Sequence, residues 1–136
     1  MEEWREVFKN IIPKGTYETL LSFGEKEGLL IKLISKKNII YIEFGYVVVF
    51  RIFDEGIILN ALFEESQIEK YKKDKFSNII YKIQNGDFDK FVKQIGNELY
   101  EYLDLKHYII VTINYVIEVI TEWEPRIKVV EIAKNI

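Results

Sequence analysis

The chain has 136 residues, 49% of them hydrophobic and 15% aromatic, which argues against disorder and suits one folded domain spanning 1–136. It contains no cysteine, which excludes disulfides, thiolate metal sites and a cysteine nucleophile. The same absence favours a reducing cytoplasm. A net charge of −3 with a pI near 5.3 disfavours nucleic acid as an electrostatic partner.

The sequence contains no segment typical of export or of a membrane span. Its first ten residues begin acidic and lack the apolar core of a signal peptide. No apolar run reaches the roughly 18 residues that cross a bilayer. The longest run is interrupted by five charged residues, Lys32, Lys36, Lys37, Glu43 and Arg51. We therefore expect a cytoplasmic protein without a membrane partner.

Two short helices are predicted before the first strand. Residues 2–10 fit a helix because Trp4 and Phe8 lie one turn apart. Pro13 and Gly15 break that pattern. Thr16 can then cap a second helix. The inward residues of this second helix would be Tyr17, Leu20 and Leu21, followed by Phe23.

The block 29–55 is the richest in β-branched and aromatic residues, a composition typical of strands. Strands are predicted at 29–35, 39–44 and 46–53. The polar turn 36–38 favours antiparallel pairing of the first two. Gly45 permits a bend, so the second and third could also form one bent strand. The block ends in a charged exit from Arg51 to Glu55.

The second half of the chain combines helices with strands. A charged helix is predicted at 66–74, because Ser66 and Glu69 have capping-box spacing. A strand at 76–83 follows. The clearest element is an amphipathic helix at 87–104. Its apolar face comprises Phe88, Phe91, Val92, Ile95, Leu99, Tyr102 and Leu103. Further strands are predicted at 107–113 and 116–121, with an edge strand at 127–132.

This order of elements does not alternate strand and helix, so it predicts an α+β domain and not a parallel α/β fold. We expect a mainly antiparallel sheet of about five to seven strands. One long helix at 87–104 and the short N-terminal helices would pack on it.

The sequence carries no catalytic or nucleotide-binding motif. His107 is the single histidine, and its neighbours supply no nucleophile or acid for general-base catalysis. It is interpreted as a helix-exit residue that contacts terminal carbonyls. Arg51 and Glu43 interrupt apolar strands and would be either paired and buried or exposed on the outer sheet face. We expect no catalytic residue, no cofactor and no metal site.

Two acidic segments are candidate partner-binding sites. Trp123 stands between Glu122 and Glu124, and an exposed tryptophan rimmed by carboxylates would anchor a basic protein. The alternative is a tryptophan folded over the sheet edge. Asp54 and Glu55, at the exit of the β-rich block, form the second candidate.

The segment IEFGYVVVFRIFDEG at 42–56 resembles small Bacillus-type (Firmicute) proteins, some of them immunity proteins of polymorphic or contact-dependent toxin systems. The resemblance rests on Phe44, Gly45, Arg51, Asp54 and Glu55. It implies a non-catalytic protein that neutralises a cognate toxin domain, commonly a nuclease, by stoichiometric binding. An acidic, aromatic face would then cover the basic cleft of the toxin.

Two other functions remain open at this point. One is a small-molecule-binding or enzymatic domain, with a pocket between sheet and helix where Arg51, Glu43 and His107 converge. The other is an oligomeric adaptor, marked by an exposed apolar patch or an unpaired strand edge. The sequence does not set the oligomeric state.

Overall fold

The structure, a computed structural model, describes residues 1–54, 63–72, 75–76, 78–96 and 103–132. These residues form nine strands and two helices. The strands are β1 Glu3–Glu6, β2 Glu18–Gly24, β3 Gly28–Ile34, β4 Asn38–Gly45, β5 Val49–Asp54, β6 Ile80–Gln84, β7 Lys106–Val111, β8 Tyr115–Thr121 and β9 Arg126–Glu131. The helices are α1 Glu65–Lys72 and α2 Asp87–Gly96.

The strands build two antiparallel sheets. One has five strands in the order β1-β6-β7-β8-β5, and the other has four in the order β2-β3-β4-β9. The five-stranded sheet is the central layer, with the four-stranded sheet on one face and both helices on the other. The predicted α+β class with antiparallel pairing is confirmed, but the prediction of a single sheet packed by one long helix is wrong.

The larger core lies between the two sheets. Its buried members come from alternate positions of β3, β4, β6, β7 and β8, together with Tyr17. They are Tyr17, Leu29, Ile31, Leu33, Ile40, Ile42, Phe44, Ile80, Tyr108, Ile110, Ile117 and Val119. Because β7 and β8 are covered on both faces, their sequences are apolar nearly throughout.

A second core lies under α1 and is centred on Trp4, which is fully buried. Its ring packs against Phe63 and Tyr81 at centroid distances of 5.3 and 5.5 Å. Side chains of α1 also bond to the backbone of β1. Gln67 accepts from the Trp4 amide at 2.8 Å, and the Tyr71 hydroxyl donates to the Trp4 carbonyl at 3.0 Å. The helix thereby satisfies polar groups on the outer edge of β1.

Both N-terminal helix predictions are wrong. Within 2–10 the chain forms β1. Buried and exposed side chains alternate from the residue before this strand: Glu2 and Trp4 are buried, whereas Glu3 and Arg5 are exposed. In the second segment, β2 pairs with β3 along its whole length. Each segment is short and has apolar residues that fit both a helical and an alternating pattern. Pairing with a neighbouring strand therefore decides the structure, since isolated helices this short are unstable.

The long helix is only partly as predicted. The described part of α2 ends at Gly96, residues 97–102 lie outside the described residues, and 103–104 are not helical. Phe88 and Val92 are buried against the sheet, whereas Phe91 and Ile95 are 55% and 64% exposed. The helix therefore buries a narrower stripe than its apolar face predicts.

Candidate protein-binding surface

One end of the sandwich brings together chain segments that are distant in sequence. The antiparallel order places the end of β4, the end of β8, the start of β9 and the β2–β3 turn at this end. Gly45 closes β4 with a φ of +67°, a conformation that glycine adopts without strain. The chain can therefore leave the sheet at Tyr46, next to the 122–125 connection between β8 and β9.

Thr121 fixes two of these segments. It is fully buried, and its hydroxyl donates to the Tyr46 carbonyl at 3.2 Å. The same oxygen accepts a hydrogen bond from the Trp123 amide at 3.3 Å. A single side chain thus anchors the backbones of two aromatic residues that are 77 positions apart by the numbering of the chain.

The side chains of these two residues point away from the core. Tyr46 is 71% exposed and Trp123 is 61% exposed, the highest values for aromatic residues in the described part of the chain. The Tyr46 hydroxyl donates to the Glu25 carbonyl in the β2–β3 turn at 2.9 Å. Since this bond fixes the tyrosine ring before a partner arrives, binding would cost less conformational entropy.

The segments that carry the two rings are rich in carboxylates. Glu25, Glu27 and Glu124 are exposed, and Glu122 is half-buried. The cations at the same end are Lys26, Lys106 and Arg126, and Lys106 is engaged with the Glu122 carbonyl at 2.9 Å and with Asp104 at 3.3 Å. We call the set Glu25, Tyr46, Glu122, Trp123 and Glu124 the Trp123 surface. It combines aromatic anchors with an excess of negative charge.

The charge of Glu124 also reaches into the protein. The pKa of Tyr108 is raised to about 12, mainly by burial and to a smaller extent by the Glu124 carboxylate, while Arg5 opposes both effects. Tyr108 faces the core between the sheets, so the charge of Glu124 acts on a buried group as well as at the surface.

The second predicted site lies elsewhere. Asp54 is exposed and pairs with Tyr115 at the opposite end of β8 from Thr121. At about 3.3 Å per residue, the two ends of β8 are about 20 Å apart. Glu55 lies outside the described residues. Asp54 is therefore not part of the Trp123 surface.

A buried charged network occupies the helix-covered face of the central sheet. The Glu118 carboxylate is inaccessible to solvent and accepts hydrogen bonds from Arg51 Nε and, at 2.8 Å, from His107 Nε2. His107 is buried in β7 and bound to this carboxylate, so its interpretation as a helix-exit residue is wrong. The network explains why Arg51 interrupts the apolar sequence of β5 and why Glu118 interrupts that of β8.

This network also holds α2 on the sheet. The Arg51 guanidinium lies 4.1 Å from the ring centroid of Phe88, the first apolar residue of α2. Phe88 in turn packs edge-on against the His107 ring at 5.9 Å. The His107 Nδ1 atom has no hydrogen-bond partner among the described residues. The arrangement stabilises helix docking, and both carboxylate oxygens of Glu118 are occupied by Arg51 and His107.

The convergent pocket required for an enzymatic or small-molecule function does not form around the predicted residues. Glu43 projects from the outer face of the four-stranded sheet opposite Arg126, whereas Arg51 and His107 lie on the far side of the central sheet. Two cavities of about 150 and 460 Å³ lie at the sandwich end remote from Trp123. Neither is lined by these residues.

Two further properties bear on the site within the described ranges. No group of three or more histidine, aspartate or glutamate side chains is placed to hold a metal ion. No helix in the same ranges is long and apolar enough to cross a membrane.

No protein-family model, no curated protein and no solved structure matches this chain.

Sequence reasoning missed three residues that organise these sites. Glu118 could have been found from its place between Val116 and Ile120 on one face of a predicted strand. Tyr46 and Thr121 gave no such signal, because their contact depends on how the two sheets stack.

Proposed function

We propose that this protein is a non-catalytic protein-binding module that captures a basic partner through the Trp123 surface. The observation that carries the proposal is the Thr121 hydroxyl, which anchors Tyr46 and Trp123 while both rings remain exposed. Large aromatic side chains exposed to solvent are costly unless a partner covers them, and tryptophan and tyrosine are enriched at binding hot spots.

The charge pattern sets the kind of partner. Glu122 and Glu124 flank Trp123 in the sequence. The main-chain carbonyl of Glu25 accepts the hydrogen bond of the Tyr46 hydroxyl, which places Glu25 next to the tyrosine. A basic surface would be attracted to this end over a distance of about 10 Å at moderate salt, which speeds association. The two rings would then be desolvated at the centre of the contact, with the carboxylates at its rim.

The partner that we propose is a cognate toxin domain with a basic cleft, such as a nuclease, which is what the sequence resemblance implies. Inhibition would be stoichiometric, because the module would cover the cleft without changing it chemically. The lack of convergence among Arg51, Glu43 and His107 favours this function over the pocket-based alternative.

Co-expression tests the proposal. The candidate toxin is sought as the C-terminal domain of a protein encoded beside this gene. It is induced in cells that also produce the present protein, and growth is recorded. We expect the wild-type protein to restore growth and Tyr46→Ala/Trp123→Ala to lose protection. Phe91→Ala, which removes an aromatic side chain 55% exposed on α2, is the matched control and should protect fully.

A pair of substitutions that removes two negative charges separates electrostatic attraction from packing. Glu122→Gln/Glu124→Gln should slow association and weaken its dependence on salt, because the rim charges act mainly on the encounter rate. Glu69→Gln/Glu131→Gln changes the net charge equally at exposed positions outside the surface. Equal effects of both pairs, or full protection by the aromatic double variant, would show that the partner binds elsewhere.

A further inference from the structure

The outer face of the four-stranded sheet is a second surface with an unusual composition. Strand registers place its side chains in three cross-strand rows. The first row is Glu18, Ile34, Ile39 and Val130. The second is Leu20, Lys32, Tyr41 and Lys128. The third is Ser22, Leu30, Glu43 and Arg126. We call this grid the outer face.

The outer face is more apolar than an antiparallel sheet normally presents to water. Half of its positions are apolar or aromatic: Leu20, Leu30, Ile34, Ile39, Tyr41 and Val130. Among the described residues, none of the six belongs to a buried cluster or packs against one. Leu20 is 50% exposed at the edge strand β2. A contiguous surface of this kind is typical of an interaction site.

Cations occupy the centre of this face. Lys32 and Lys128 lie on either side of Tyr41 in directly opposed positions, about 10 Å apart across two strand spacings. The Lys32 ammonium is 5.3 Å from the Tyr41 ring centroid. Neither lysine forms an ion pair with a described carboxylate. The row thus presents two ammonium groups between rows that carry Glu18, Glu43 and Arg126, so the face has three cations against two carboxylates in a chain whose net charge is −3.

This geometry points to an acidic, amphipathic polypeptide segment as the occupant of the outer face. Carboxylates of the segment would pair with Lys32 and Lys128, and its apolar side chains would cover the first row and Leu20. A second copy of the chain fits poorly, because the central row of its own outer face has two lysines and no carboxylate to pair with them. The proposal goes beyond the toxin-binding function, since it concerns a different face and the opposite charge.

A synthetic amphipathic peptide of leucine and glutamate is the probe, titrated into the full chain and followed by calorimetry. A peptide in which lysine replaces every glutamate is the first control. We expect saturable binding of the glutamate peptide and no saturable binding of the lysine peptide. Lys32→Glu/Lys128→Glu should weaken it about tenfold or more, because both attractive contacts become repulsive. Leu20→Ser should also weaken binding by removing exposed apolar area.

The matched control is Lys72→Glu/Lys90→Glu, which makes the same charge change at exposed positions on α1 and α2. Unchanged binding by this pair supports the assignment. The assignment is overturned if there is no saturable binding, if both lysine pairs lose it equally, or if both peptides bind alike. Tighter association with phosphatidylglycerol vesicles or with oligothymidylate overturns it in favour of a membrane or a nucleic acid. Alanine at Trp123 should leave peptide binding unchanged, which separates this proposal from the Trp123 surface.

Discussion

Glu118 and His107 form a hydrogen bond of 2.8 Å at the centre of the helix-covered sheet face, where neither side chain is exposed by more than a few per cent. The second carboxylate oxygen of Glu118 binds Arg51 from the neighbouring strand. A buried carboxylate with two such partners contributes to stability only while both contacts are intact, because an unpaired buried charge is costly.

Glu118→Gln should therefore destabilise the fold. The oxygen of the glutamine amide can accept a hydrogen bond from one of the two partners. Its NH2 group, which is itself a donor, then faces the donor group of the other partner. We expect the free energy of unfolding to fall by about 2 to 3 kcal/mol, the usual worth of a hydrogen bond to a charged group. Urea denaturation followed by circular dichroism measures it. Glu43→Gln, exposed on the outer face, should change it by less than about 0.5 kcal/mol. Similar losses in the two variants would contradict the role of the network.

Gly86→Ala should also destabilise the protein. A Cβ atom at this position would come within 2.8 Å of the His107 ring and 3.0 Å of an Ile83 methyl carbon. Since His107 is bound to Glu118, the ring cannot move without loosening that bond. We expect a loss of about 1 to 3 kcal/mol, the common cost of overpacking.

Gly24→Ala is the control for this substitution, because a Cβ atom there would meet no other atom within 4 Å. Its thermal unfolding midpoint should match that of the wild type. If both alanine variants melt alike, the close approach at His107 has no energetic consequence.

The raised pKa of Tyr108 predicts a loss of stability at high pH. In the unfolded chain this phenol ionises near its ordinary value of 10, whereas the folded pKa is about 12. The stability linked to its protonated form is complete below pH 10 and is lost as pH rises through about 12. The unfolding free energies of Tyr108→Phe and the wild type should differ by a constant amount below pH 10. Above pH 10 the wild type should lose stability relative to the variant.

Chemical denaturation at a series of alkaline pH values tests this dependence. Parallel curves for Tyr108→Phe and the wild type would show that burial does not hinder the ionisation of Tyr108.

Thr121→Val should loosen the Trp123 surface without altering its exposed atoms. Valine has nearly the shape of threonine but offers neither a donor for the Tyr46 carbonyl nor an acceptor for the Trp123 amide. We expect a loss of about 1 kcal/mol of unfolding free energy and faster hydrogen exchange at the Trp123 amide. Nuclear magnetic resonance measures the exchange, and Thr19→Val on β2 should leave it unchanged. Unaltered exchange in Thr121→Val would show that the hydroxyl does not fix this segment.

Much of the strand pattern was predictable because the chain from 29 onward carries clear local signals. Predicted strands at 39–44, 107–113, 116–121 and 127–132 correspond to β4, β7, β8 and β9 within one or two residues at each end. The N-terminal segments were not predictable in this way, since short apolar patterns fit both the helical and the strand periodicity until a partner strand is known.

The division into two sheets depends on contacts distant in sequence, and so does the Trp123 surface. Of the two alternatives for Trp123, the structure has the exposed one. Its neighbour Tyr46 lies in a different connection, between β4 and β5, and no local pattern links the two. The separation of Asp54 from Trp123 follows from the register of β5 on β8, which composition does not encode.

Contact between the Trp123 surface and a basic partner can be mapped by amide hydrogen exchange of this protein, alone and bound to the candidate toxin domain. Protection on binding should concentrate at 24–27, 45–47 and 122–126. Protection confined to α2 or to the outer face, or the absence of a complex, would contradict the proposed contact.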